Sequence, residues 1–405
     1  VSRILLISNG HGEDLSGALL GQALNARGVA VEALPLVGHG GAYREAGLPV
    51  VGPTRDFSTG GLGYTSLRGR LTELWQGQLP YLLGRLRAVW RHRHHCDGVV
   101  AVGDVLPVLA AWFTNRPMAV YLVAYSSHYE GRLRLPWPCG WLLRSTRVRL
   151  LWSRDALTAE DLTRQLARPV EFVGNPFQEV GGQHPIPPLR GEGPVLGLLP
   201  GSRLPEALSN LLLMLEVLDQ LSESWRGQLR LLAALVPSLT VETIGRAAAP
   251  LGWTLESPSS ETAGGAVLRC GDLRLELLGD RFWWVLNSSD LLLAMAGTAA
   301  EQAVGLGKPV LQLVGPGPQF TEGFADAQRR LLGPGVSCAP GPMGAPATLK
   351  ETAQMAVAQL RRLADPQEGP RWRQQLAAVA LERLGRPGGT KRMAEAIMAK
   401  LNPRS

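Results

Sequence analysis

The run Leu292-Leu-Ala-Met-Ala-Gly-Thr-Ala-Ala-Glu301 sets a Gly-Thr turn after an apolar strand and a glutamate in the first turn of the helix that follows. Free N–H groups and the positive dipole end of such a helix suit a phosphate, received at Gly297 and Thr298. The Glu301 carboxylate is placed to accept hydrogen bonds from a ribose diol. A Gly-Lys-Pro break and a second apolar strand, Val310–Val314, close the unit. Downstream, Gln319 and Gln328 offer amides to sugar hydroxyls. The plainer alternative is a strand–helix unit with Thr298 as its cap.

A second constellation lies earlier. His11 sits in the glycine loop Ser8-Asn-Gly-His-Gly-Glu-Asp14, and Asp104 ends the apolar run that starts at Gly98. Each follows a strand of an open α/β pattern, whose carboxyl ends gather ligands. Asp104 orienting the His11 imidazole would make a general base, with Glu13 and Asp14 in reserve. The alternatives are helix-capping roles for both. His128 and the cluster His92, His94, His95 have no accompanying cysteines or paired acids and read as surface residues.

The elements that must position these residues are legible as an alternation of strands and helices. Ile4–Ile7, Val29–Leu36, Val50–Val51, Gly98–Val102, Pro117–Ala124 and Val170–Val173 read as strands of a first half. Val180–Pro194, rich in proline, reads as a linker. The pattern restarts at Val195, with Pro205–Leu221, Thr240–Leu251 and Thr348–Ala364 as helices and a hairpin within Trp253–Phe282. The expected domains are 1–180, a linker at 181–194, a second domain at 195–370, and terminal helices at 371–405.

A length of 405 residues predicts two domains of ordinary size, and 45% hydrophobic with 19% charged residues excludes a disordered chain. The net charge of +7 rests on arginine, with lysine only at 308, 350, 391 and 400, which favours anionic partners. No nucleic-acid motif accompanies it. Cysteines 96, 139, 270 and 338 lack metal-ligand spacing and read as reduced thiols. The chain opens directly on a strand, without a signal-peptide pattern, and no apolar run is long enough to span a bilayer. Leu67–His95 and Arg132–Trp152 each interleave Arg and Trp with apolar residues. Trp75, Arg85, Trp90, Trp137 and Trp141 are the expected face toward an anionic membrane or a lipid acceptor; a core helix with a solvated basic side is the alternative.

Several runs resemble lipid-A-disaccharide synthase and its relatives. Leu198-Leu-Pro-Gly-Ser-Arg203 is similar to that family's Leu-Leu-Pro-Gly-Ser-Arg. Gly297-Thr-Ala-Ala-Glu301 resembles its Gly-Thr-Ala-x-x-Glu turn, with the glutamate one residue early. Phe172-Val-Gly-Asn-Pro176, Ser8–Gly17 and Val102-Gly-Asp104 stand where the family has Phe-Ile-Gly-His, a Gly-Glu-x-Ser-Gly-Asp loop and Gly-x-Asp. The 317–328 segment is similar instead to the Gln-rich sugar-contacting loop of the murein-pathway N-acetylglucosaminyltransferase.

The resemblance implies a GT-B glycosyltransferase: two Rossmann-like domains facing a cleft, with a C-terminal helix crossing back to the N-terminal domain. It implies a nucleotide-sugar donor, UDP-linked in expectation, bound by the C-terminal domain. Ser202 and Arg203 would neutralise its diphosphate beside Thr298. No Asp-x-Asp occurs in the chain, so neither a metal nor another cofactor is expected. The acceptor would be lipid-linked, the reaction inverting, and the protein cytoplasmic and peripheral on the inner face of the membrane. The alternatives are a nucleotide-sugar 2-epimerase of the same fold and a non-catalytic relative that binds anionic membranes.

Overall fold

The computed structural model describes residues 3–52, 78–178, 193–256, 265–315 and 321–401. The chain forms two compact units, one of residues 1–179 with 384–405 and the other of residues 180–383.

The first unit is built on five parallel strands, β1 (Arg3–Ser8), β2 (Ala30–Pro35), β3 (Gly98–Val102), β4 (Met118–Leu122) and β5 (Val148–Ser153), in the order β2-β1-β3-β4-β5. Strands β3 and β4 are buried at every position, as expected when helices cover both faces of a parallel sheet. The strand period of two divides the core. Leu5, Ile7, Val99 and Ala101 pack on one face with Val108 of the helix Val105–Phe113 and Leu162 of the helix Ala156–Leu166. Ile4, Leu6, Val100 and Val102 pack on the other with Leu20 and Leu24 of the helix His11–Asn25. That second face is completed by the end of the chain: Met393, Ala394 and Ile397 of the helix Gly389–Lys400, with Leu401, are all buried in it.

The return of the chain is fixed at Gly174. The Asn175 N–H donates to the Leu384 carbonyl at 2.7 Å, and the Arg392 guanidinium donates to the Val173 carbonyl at 2.7 and 2.9 Å. Gly174 has φ +97°, and a Cβ there would meet the Arg386 carbonyl oxygen at 2.4 Å. Only glycine tolerates that approach.

The second unit carries β6 (Val195–Leu199), β7 (Arg230–Leu235), β8 (Thr254–Glu256), β9 (Ala266–Cys270), β10 (Leu273–Gly279), β11 (Leu291–Ala294), β12 (Val310–Gln312) and β13 (Val336–Cys338). Their order is β13-β12-β11-β6-β7-β10-β9-β8, parallel except for the antiparallel β8-β9-β10 edge. The expected hairpin is β9–β10. The runs expected as strands at Val50–Val51 and Val170–Val173 are single bridges, Ala33 to Val50 and Trp152 to Glu171. All four cysteines are free thiols, and burial pushes Cys96 up to about 11 and Cys139 to about 12. Among the described residues, no helix is long and apolar enough to cross a membrane.

Candidate functional site

Each unit gathers candidate residues at the carboxyl edge of its sheet. In the first, Ser8 of β1 lies in register with Val102 of β3, so the loops that follow them start side by side. Gly10 (φ +130°) and Gly103 (φ +135°) turn those loops. Asp104 then serves as N-cap of the helix Val105–Phe113, its Oδ1 accepting from the Leu106 N–H at 2.8 Å. Its Oδ2 accepts from the Asn9 side-chain amide at 3.0 Å. Burial raises the Asp104 pKa above the ordinary carboxylate value, and these two hydrogen bonds oppose the rise. The capping alternative is therefore realised, and the carboxylate is also desolvated and held by both oxygens.

Behind this loop the Tyr43 hydroxyl donates to Ser8 Oγ at 2.7 Å, and Ser8 Oγ donates to Asp14 Oδ1 at 2.6 Å, all three side chains being buried. Burial, with the Asp14 charge, pushes the Tyr43 pKa well up, so the phenol stays a donor. Asp14 is thus committed to fixing the helix start, which leaves Glu13 as the other carboxylate of the loop. Glu13 folds back so closely that a Cβ on Gly10 would lie 2.6 Å from its Oε2, and one on Gly103 would lie 3.2 Å from its Cγ. His11 is the first residue of the helix His11–Asn25, after Gly10 as N-cap; its side chain lies outside the described ones. The sequence reading missed Asn9 and the Tyr43–Ser8–Asp14 chain. An asparagine directly after β1, beside a glycine, was the available signal for the first.

In the second unit, Leu199 of β6 lies in register with Ala294 of β11, and the Met295 N–H donates to the Leu199 carbonyl at 2.9 Å. The Pro200–Arg203 turn and the Gly297–Thr298 turn therefore leave adjacent strands at the same edge. Gly201 has φ +107°, and a Cβ there would sit 3.1 Å from the Met295 carbonyl oxygen. Asn210 braces the turn by donating to the Pro200 carbonyl at 2.8 Å. Ser202 and Arg203 are exposed. The helix Gly297–Gly305 starts after Ala296 without a side-chain cap, so Thr298 is not its cap. An uncapped helix start leaves N–H groups available to an anion.

Two sequence expectations need correction here. Glu301 is the fifth residue of this helix, beyond its first turn, and is only 8% exposed; counting the helix from Gly297 moves the carboxylate inward. Gln328 is also buried, beside Gly297, and its Oε1 accepts from Gln312 at 3.5 Å. It supports the turn more directly than it presents an amide to solvent. Gln319 lies outside the described residues. Lys308, in the Gly-Lys-Pro break, donates to the Asn287 and Ser289 carbonyls at 2.8 and 2.7 Å and closes the end of the helix Phe282–Ser288.

The expected membrane face divides. Trp90, Trp137 and Trp141 are 52%, 90% and 61% exposed. Trp141 lies 5.5 Å from Trp112, and Trp90 carries the Arg93 guanidinium 4.0 Å above its ring. Arg85 does not belong to that face: it is buried, one nitrogen donating to the Val51 carbonyl at 3.2 Å and another to the Pro35 carbonyl. It shares the inner side of the helix Gln78–His92 with Val89, four residues on. Strand-end carbonyls there need donors, and the guanidinium supplies them. Trp75 lies outside the described residues. His128 is half-buried, with Nε2 3.7 Å from Asp155 Oδ1, and so is not the surface residue expected.

No protein-family profile matches the chain, and a search of curated proteins returns no match. Solved structures of GT-B fold align over nearly the whole length. The calicheamicin glycosyltransferase CalG4 matches at TM-score 0.62 and 17% identity over 100% of both chains. Staphylococcus aureus MnaA, solved with UDP, matches at 0.57 and 13% over 99% of this chain and 98% of its own. The UDP-GlcNAc 2-epimerase of Neisseria meningitidis, bound to UDP-GlcNAc, matches at 0.53 and 14% over 98% and 100%. The protein has the GT-B fold, a pair of Rossmann-like domains shared by glycosyltransferases and nucleotide-sugar epimerases.

Proposed function

We propose that this protein is a metal-independent, inverting glycosyltransferase that moves a sugar from a UDP-linked donor to a lipid-linked acceptor at a membrane surface. The observation that carries the donor site is the pairing of β6 with β11, which sets the Arg203 turn beside the uncapped start of the helix Gly297–Gly305. Two backbone turns and one exposed guanidinium then meet a diphosphate, with Ser202 and Thr298 as hydroxyl donors. Of the remaining donor-side residues Glu301 and Gln328 are buried, which leaves Gln319 as the amide offered to the sugar. In the first unit Asp104 takes the proton of the acceptor hydroxyl, with His11 as its partner and Glu13 in reserve. The hydroxyl oxygen attacks the anomeric carbon as the bond to the diphosphate breaks, and the diphosphate leaves with the electron pair. The exposed Trp90, Trp137 and Trp141 mark the side that meets lipid.

A thermal-shift series with uridine nucleotides tests the donor site. A ligand at ~100 times its dissociation constant adds about 2.7 kcal/mol of stability; no shift with any uridine nucleotide refutes the reading.

A 2-epimerase is the second reading, favoured by the similarity to epimerase structures over the full chain. Incubation with UDP-GlcNAc alone, followed by NMR of the anomeric protons, separates the two. Appearance of the 2-epimer without an acceptor supports the epimerase. The exposed tryptophans argue for the transferase, since a freely dissolved substrate calls for no lipid-facing patch.

A further inference from the structure

A cavity of about 580 Å³ opens in the first unit, with Trp137 and Trp141 next to its lining residues along the chain. Its lining includes Arg132, Arg134 and Arg144 with Leu133, Leu135 and Gln165. The alternation Arg-Leu-Arg-Leu sends Leu133 into the core and leaves Arg132 and Arg134 exposed.

The wall is built stiffly. Asp161 accepts from the Leu133 N–H at 2.6 Å and from Ser127 Oγ at 2.9 Å, and the Gln165 amide donates to the Leu133 carbonyl at 2.8 Å and to Asp161 at 3.0 Å. Burial alone would raise the Asp161 pKa, but these hydrogen bonds outweigh it and keep the carboxylate below its ordinary range. Arg144 is anchored by donating to the Gln165 carbonyl at 2.7 Å and to the Gly140 carbonyl at 3.2 Å. Among the described residues, Arg132 and Arg134 have no hydrogen-bond or ion-pair partner. The segment that joins Leu135 to Gly140 carries Trp137, 90% exposed, and Trp141 follows at 61%. A cationic hollow is thus bordered along the chain by aromatic rings suited to a headgroup layer.

We infer that this hollow binds the phosphate of an anionic phospholipid headgroup while Trp137 and Trp141 enter the lipid interface. The inference rests on the membrane-facing reading above and adds a ligand and a place. Charge selects the ligand: guanidinium groups bind phosphate by paired hydrogen bonds, and the adjoining rings select a phosphate that comes with a bilayer.

The test is flotation with vesicles of phosphatidylglycerol in phosphatidylcholine and with pure phosphatidylcholine vesicles. Wild-type protein is expected to float with the first and not with the second. Arg132→Ala/Arg134→Ala alters only exposed side chains, so folding is retained, and it should lower partition about tenfold or more. Arg371→Ala/Lys400→Ala removes the same charge elsewhere and should change it little. Equal losses in both variants would reduce the effect to overall charge and overturn the site. Binding of inorganic phosphate by the wild type, lost in the Arg132→Ala/Arg134→Ala variant, without any flotation on phosphatidylglycerol vesicles would assign the hollow to free phosphate and overturn the lipid. The thermal shift with UDP is measured alongside: if it persists in the arginine variant while flotation fails, the headgroup site stands apart from the donor site. If wild-type protein shifts with UDP yet never floats, the headgroup inference and the membrane-facing reading are lost while the donor site stands.

Discussion

Asn9 and Asp104 join the ends of two neighbouring strands: the Asn9 amide donates to Asp104 Oδ2 at 3.0 Å, 95 residues away in the chain. The bond stabilises the charged carboxylate against a burial that favours the neutral acid. A base must be ionised to work, so activity falls as pH drops through its pKa, and the acid limb lies above that of an ordinary carboxylate. Asn9→Ala removes the opposing hydrogen bond and should move the limb further up. A kcat–pH profile unchanged by the substitution would remove Asp104 from the chemistry.

Asp104→Asn should lower transfer by about 10²–10⁴-fold with UDP binding intact. Its effect on stability has a definite sign. A carboxyl whose folded pKa is raised contributes most when protonated, and that contribution declines as pH rises through the folded pKa. Asparagine cannot ionise and still caps the helix. The variant should therefore melt higher than wild type at neutral pH, with the gain shrinking in acid; a loss at neutral pH would contradict the account.

Arg203→Ala is expected to weaken UDP binding by about 1.5–3 kcal/mol, the range of a charge-assisted hydrogen bond. Its melting temperature without ligand should stay near wild type, because the side chain is exposed. Titration calorimetry with UDP reads this directly.

Gly201→Ala tests the turn itself. Positive φ and a 3.1 Å approach to the Met295 carbonyl oxygen should cost about 1–3 kcal/mol and shift the turn proposed to bind the diphosphate. Loss of the UDP thermal shift, beyond what lower stability explains, is the expected result; unchanged binding would show that the turn does not hold the nucleotide.

Arg85→Ala removes two charge-assisted bonds to backbone carbonyls and should cost about 3 kcal/mol. Trp137→Ala, at a side chain 90% exposed, should stay within about 0.5 kcal/mol. Chemical denaturation of the two variants distinguishes the buried arginine from the exposed tryptophan.

Apolar runs without polar alternation made the buried parallel strands legible in the sequence, and the Pro-Gly-Ser-Arg and Gly-Thr-Ala runs located the second-unit turns. Val50–Val51 and Val170–Val173 share the apolar character but lie beside Gly52 and Gly174, and form one bridge each in place of ladders. Composition alone could not sort the arginines of the segment before His95. The four-residue spacing of Arg85 and Val89 was the clue, readable once the carbonyls of Pro35, at the end of β2, and Val51 are known to need donors. The place of Asn9 after β1 was legible, but its partner Asp104 was not, because their pairing depends on the register of β1 with β3, which no local pattern specifies.

The last helix of the chain also sets an order of events during synthesis. Met393, Ile397 and Leu401 belong to the same packed layer as Ile4 and Leu6, each large side chain contributing about 1.5–3 kcal/mol on burial. The amino-terminal unit must leave the ribosome with that layer unfinished and wait while the entire second unit is translated. A nascent chain stalled before residue 389 should accordingly recruit chaperones through its opening strand, and release of the final turns should end that dependence.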